Sequence, residues 1–133
     1  MMKPMAAALA VIAAACTSIQ ADDDDAALKI VGTWRQSDAE CGPAQPVREL
    51  IFEADGRYSV TWLPFETYRD YWGRYHYDPR AMRLSLTVEG GNYNPPDRAL
   101  SGEARVADGA LTLRGISLGT PQNGIRCSAP FRR

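Results

Sequence analysis

His76 is the chain's single histidine, and Asp70 and Asp78 stand near it as carboxylates that could complete an acid–base pair. General acid–base work needs the ring within hydrogen-bond reach of its partner and of a reacting atom. Strand alternation places Trp72, Arg74 and His76 on one face, with Tyr71, Gly73, Tyr75 and Tyr77 on the other. No serine or cysteine stands in a nucleophile motif, so His76 is expected to be a strand residue on a polar or pocket face. A zinc site usually needs several His or Cys ligands, so none is expected. Glu66 and Asp70 would suit a hydrolase's paired carboxylates, but no second sequence element marks an active site. A solvated loop is expected there, with Arg69, Asp70 and Arg74 in surface ion pairs of small energetic weight. Asp22 to Asp25 is a run of acids rather than a calcium loop, whose ligands are spaced around a turn made by glycine. No catalytic residue, metal or cofactor is expected.

The three cysteines point to a different chemistry. Lys3 followed by the apolar Met5–Ala15 run reads as an export signal, too short to span a bilayer. Two processing readings compete. Ile19-Gln20-Ala21 suits cleavage before Asp22, giving a signal over 1–21, an acidic linker over 22–27 and a domain over 28–133. Alternatively, Ala13-Ala14-Ala15-Cys16 resembles a bacterial lipobox, in which Cys16 would be acylated and anchor the protein to the outer membrane. Either route removes Cys16 from disulfide chemistry and leaves Cys41 and Cys127, which are expected to bond in an oxidising compartment. The expected location is periplasmic or secreted, with lipid anchoring as the alternative. The formal net charge of −1 gives no basic footprint for nucleic acid.

Phe52–Tyr77 holds nine of the aromatic residues, of which the chain has three Phe, three Trp and six Tyr in all. Tyr58, Val60 and Trp62 alternate with polar neighbours after an Asp55-Gly56 turn signal. Phe65 and Tyr68 follow in a proline-broken loop, ahead of a second aromatic strand from Tyr71. Rings at a barrel mouth are what an apolar-ligand site requires, with polar groups supplying orientation. Trp62, Phe65, Tyr68, Trp72 and Tyr93 are therefore the candidate ligand residues, with Arg74 and His76 as polar contributors.

These residues need a scaffold, and the pattern supplies strands throughout. Leu28–Gln36 reads as a first strand in which Gly32 allows close backbone approach and Trp34 closes one end of a barrel. Val47–Ala54 is the second. Met82, Leu84, Leu86 and Val88 alternate with Arg83, Ser85, Thr87 and Glu89, the cleanest half-buried pattern in the chain. Gly90–Arg98 is a loop. Leu100–Ala107 and Ala110–Ile116 flank an Asp108-Gly109 turn, and Ile125–Phe131 is the closing strand. No helical period appears in the domain. Eight such runs at short spacing indicate an all-β antiparallel sandwich or barrel.

The motifs L-x-x-x-G-T-W-R at Leu28–Arg35, I-F-E-A-D-G-R-Y-S at Ile51–Ser59, W-G-R-Y-H-Y-D at Trp72–Asp78 and L-S-L-T-V at Leu84–Val88 resemble the small bacterial lipocalin-like proteins of the calycin group. The resemblance implies an up-and-down eight-stranded barrel without a C-terminal helix. It also implies an arginine from a late strand lying over Trp34, with Arg126 best placed and Arg114 second. The expected function is a non-enzymatic exported carrier of a small apolar or amphipathic molecule. The alternative is an envelope barrel that binds a protein, such as a hydrolase inhibitor, through Gly90–Arg98 and Pro64–Asp70. The only membrane contact expected is through a lipid at Cys16.

Overall fold

A computed structural model describes residues 25–62, 70–92, 95, 97–119 and 125–133. The predicted Phe65, Tyr68 and Tyr93 and the export segment lie outside these residues. Eight antiparallel strands follow one another as neighbours: β1 (Gly32–Trp34), β2 (Glu49–Phe52), β3 (Arg57–Thr61), β4 (Tyr71–Asp78), β5 (Arg83–Gly91), β6 (Ala99–Ala107), β7 (Ala110–Arg114) and β8 (Phe131–Arg132). Arg35 and Arg132 then exchange both backbone hydrogen bonds, each 2.7 Å. This joins the last strand to the first and makes an up-and-down barrel, the one of the two architectures left open by the strand pattern that the resemblance implies. One-turn helices occupy residues 25–28 and Asp38–Cys41. The second is capped by the Ser37 side chain, which accepts from the Glu40 amide.

Alternation decides which residues fill the barrel. Leu50, Phe52, Tyr58, Val60, Tyr71, Leu84, Leu86 and Val88 point inward and are buried. The rings pack as edges and tilts: Phe52 against Tyr75 at 4.8 Å, and Tyr58 against Tyr71 at 6.2 Å. Such offsets are favoured by the ring quadrupole. Gly73 sits opposite Tyr58 beside a β-bulge, where a Cβ would fall 1.8 Å from the Thr87 carbonyl oxygen. No side chain fits there, and β4 can approach β5 only through glycine. Beyond the bulge, Gly90 and Gly91 pair with Trp72 and Tyr71, so β5 runs to Gly91 and the loop expected from Gly90 starts later.

One end of the barrel is sealed by residues 25–31, with Ile30 fully buried. The Trp34 indole N–H donates to the Ile30 carbonyl at 2.8 Å. The cation over its ring is neither Arg126 nor Arg114 but Arg133, whose guanidinium carbon lies 4.2 Å from the ring centroid. Arg133 also donates to the Val31 carbonyl at 2.9 Å and to that of Lys29. Gly32 makes room for it. A Cβ at that position, where φ is +133°, would stand 2.4 Å from the guanidinium. The glycine and tryptophan of the G-x-W motif thus serve a single arrangement, a cation held between the ring and two backbone carbonyls.

Three further expectations need correction. The first strand does not begin at Leu28, because residues 25–31 turn across the closed end before Gly32 starts the ladder. Met82, expected inside the fifth strand, has φ +51° in the preceding turn. The closing strand is not Ile125–Phe131. Arg126 makes only an isolated bridge to Gln45, and regular pairing starts at Phe131. The carbonyls of Cys127 and Ala129 are taken by the Gln36 side chain, at 3.1 and 2.9 Å, and Pro130 has no N–H to give a ladder.

Candidate functional site

The opposite end of the barrel, its mouth, is where β1, β3, β5 and β7 end. It is organised around the Cys41–Cys127 disulfide, whose Cα atoms are 5.3 Å apart. This is the pairing that the cysteine count predicts. Gln36 reinforces it: buried, it donates to two carbonyls of the 127–129 segment and accepts from the Val47 amide at 2.8 Å. The two ends of the aromatic loop are also tied here, since the Asp70 carboxylate accepts from the Trp62 amide at 2.7 Å. The Asn92 amide donates to the Asp70 carbonyl at 2.9 Å, which brings the start of the next connection to the same edge.

Closure of the barrel is incomplete at this end. β8 pairs only with Ala110 and Leu111 of β7, so nothing in β8 covers β7 from Thr112 onward. The seam between β7 and the disulfide-held segment opens into a cavity of about 220 Å³. Val47, Trp62, Leu113, Leu118 and Phe131 give it an apolar lining, and Arg126 is the one charged side chain among the described residues around it. Tyr71 supports the wall from below by donating to the Leu118 carbonyl at 2.6 Å.

The predicted ligand residues do not all meet there. Trp62 is buried in the cavity wall. Trp72, Arg74 and His76 lie on the outside of the barrel, on the far side of the β4 backbone. Trp72 is 43% exposed and lays its indole on Gly90, where an added Cβ would come within 3.1 Å of the ring. Arg74 pairs with Glu89 at 3.6 Å, with both side chains largely in water. The predicted alternation holds along β4, but the burial of Tyr71, Tyr75 and Tyr77 sets which face turns inward. Thr112, Leu113, Gly115, Ile116, Leu118, Gly119 and residues 126–131 line the cavity although no sequence motif marks them; the proline and the cysteine in the last segment are the available signal.

One feature of the interior is electrostatically costly. Tyr58 is buried, and its hydroxyl has no hydrogen-bond partner among the described residues. Burial, and then the Glu89 carboxylate, push its pKa well above the ordinary tyrosine range. The other inward tyrosines find acceptors: Tyr75 donates to the Glu53 carbonyl at 2.6 Å and Tyr77 to that of Ala104 at 3.2 Å. Tyr58→Phe is expected to leave stability unchanged or raise it by about 1 kcal/mol, since it removes an unsatisfied group while keeping the ring. The folded state holds this proton above the unfolded pKa of about 10, so stability attached to it is present below pH ~10 and lost as pH rises further. The variant should lose less stability than the parent between about pH 9 and pH 11, as read by denaturant titrations. A loss above about 1 kcal/mol at neutral pH would instead mean that the hydroxyl is bonded.

Compared with protein-family models, with curated proteins and with solved structures, the chain matches none. Among the described residues, no three His, Cys, Asp or Glu side chains converge as metal ligands.

Proposed function

We propose that this is a non-enzymatic, exported, lipocalin-like binding protein that takes a small apolar or amphipathic molecule at the mouth of its barrel. The observation that carries the reading is the seam cavity, walled by Trp62, Leu113, Leu118 and Phe131. Its size restricts the ligand. An apolar cavity of about 150 Å³ takes benzene, so 220 Å³ suits a molecule of about ten non-hydrogen atoms. The barrel's lower interior is filled by its own rings, which argues for a compact ligand rather than a long-chain lipid. The disulfide supports export, since such bonds persist in oxidising compartments.

The test is binding of toluene- to naphthalene-sized probes by ligand-observed NMR, with Ile116→Trp as the variant. Ile116 is a half-buried lining residue outside the strands, so a larger side chain should fill the cavity with little effect on the ladder. Saturable one-site binding that disappears in Ile116→Trp, with its unfolding curve retained, is expected. Absence of saturable binding, or binding indifferent to the substitution, would remove the carrier reading.

The protein-binding alternative draws on one observation, the half-exposed Trp72 on the outer wall. Exposed tryptophans are enriched among interface anchors. Under that reading, capture of an envelope partner would depend on Trp72 and be indifferent to filling the cavity.

A further inference from the structure

Arg126 is the side chain that the family resemblance would set over Trp34, yet that place is occupied by Arg133. Arg126 is instead at the mouth, lining the cavity, with its guanidinium donating to the Ser117 hydroxyl. Several other arginines on the described surface have carboxylate partners: Arg48 with Asp38, Arg57 with Asp55, Arg74 with Glu89 and Arg132 with Glu40. Arg126 has none among the described residues; Arg35, Arg83, Arg105 and Arg114 have none there either, but Arg126 alone of these lines the cavity, and none of the described residues lining it carries a carboxylate.

Resting on the cavity as the binding site, we propose that its ligand is a small carboxylate whose apolar body fills the seam against Trp62, Leu113 and Phe131, and whose carboxylate pairs with Arg126. The guanidinium presents several N–H donors in a planar fork that matches two carboxylate oxygens, so bonding to Ser117 leaves donors for the ligand. Position matters as much as charge. Arg126 is exposed while the rest of the lining is mostly apolar or backbone, so a ligand can bury its body and keep its head where desolvation is modest. The backbone of Arg126 is itself held, bridged to Gln45 and one residue from the disulfide-bonded Cys127. A neutral ligand of the same shape would fill the seam but leave this cation unpaired.

Phenylacetate and phenylacetamide make the test, because they share size and shape and differ in charge. Their affinities are measured by calorimetry or ligand-observed NMR in the full exported domain at low and moderate salt. Phenylacetate is expected to bind about tenfold or more tighter than phenylacetamide, the ratio that a charged hydrogen-bonded pair supplies. Salt should shrink the ratio. Arg126→Gln should bring it to about one, and Arg126→Lys should restore part of it, because a lysine keeps the charge without the fork. Equal binding of the two compounds to the parent protein, or an unchanged ratio in Arg126→Gln, overturns the carboxylate assignment and leaves the cavity reading standing. Failure of both compounds to bind where toluene-sized probes do bind overturns the carboxylate assignment alone, and failure of all of them overturns the cavity reading and this inference with it.

Discussion

Trp34→Ala is expected to cost about 3–5 kcal/mol of folding stability, the range for large aromatic truncations in cores. Trp34 is fully buried, and three things depend on its ring. Its indole N–H satisfies the Ile30 carbonyl, its face carries the Arg133 guanidinium, and its volume fills the closed end beside Leu50. Truncation leaves a void, and the 25–31 cover loses the side chain it is hydrogen-bonded to. Trp34→Phe separates these contributions. It keeps most of the packing and a ring for the cation but deletes the N–H, so a loss of about 1–2 kcal/mol is expected. Equilibrium denaturant unfolding of the two variants checks the ordering. A Trp34→Ala cost below about 1 kcal/mol would mean that the closed end is not packed as described.

That closed end also shows how far the sequence can be read. The G-x-W motif, the alternation of Leu84, Leu86 and Val88, and the Asp55-Gly56 and Asp108-Gly109 turns are legible because each is a local rule. Period two sets the strand faces, and φ of +93° at Gly56 and +75° at Gly109 needs glycine. Arg133 is not legible in this way, because its role depends on where the last strand starts. With pairing begun at Phe131, parity puts Arg133 on the inward side with Phe131 and turns Arg132 outward to Glu40 at 2.8 Å. A strand drawn over Ile125–Phe131 hides this. The same misplacement conceals the cavity, which exists because the disulfide, Gln36 and Pro130 divert residues 126–130 from the ladder. Trp72, Arg74 and His76 do share a face with one another, as alternation predicts, but not a site with Trp62. Sequence periodicity fixes which residues share a face, and only packing against other strands fixes which face is inside.

Removing the Cys41–Cys127 bridge by the double substitution Cys41→Ala/Cys127→Ala is expected to cost up to about 4.6 kcal/mol, the chain-entropy value for a link across a separation of 86 residues. Most of that effect resides in the unfolded chain, which the bridge keeps compact. The denaturant m-value should therefore rise in the variant as the unfolded state expands. A stability loss with an unchanged m-value would put the effect in native contacts instead. Those contacts matter separately for the mouth, because the bridge and Gln36 hold the same 127–129 segment against the seam. Gln36→Leu in the bridged protein leaves the Cys127 and Ala129 carbonyls and the Val47 amide without that partner while the disulfide retains the segment. In the unbridged protein nothing equivalent retains it, so the two changes should be non-additive, both in stability and in probe affinity. Additive losses in both would mean that the disulfide and Gln36 act independently, and that the mouth wall does not rest on their joint hold.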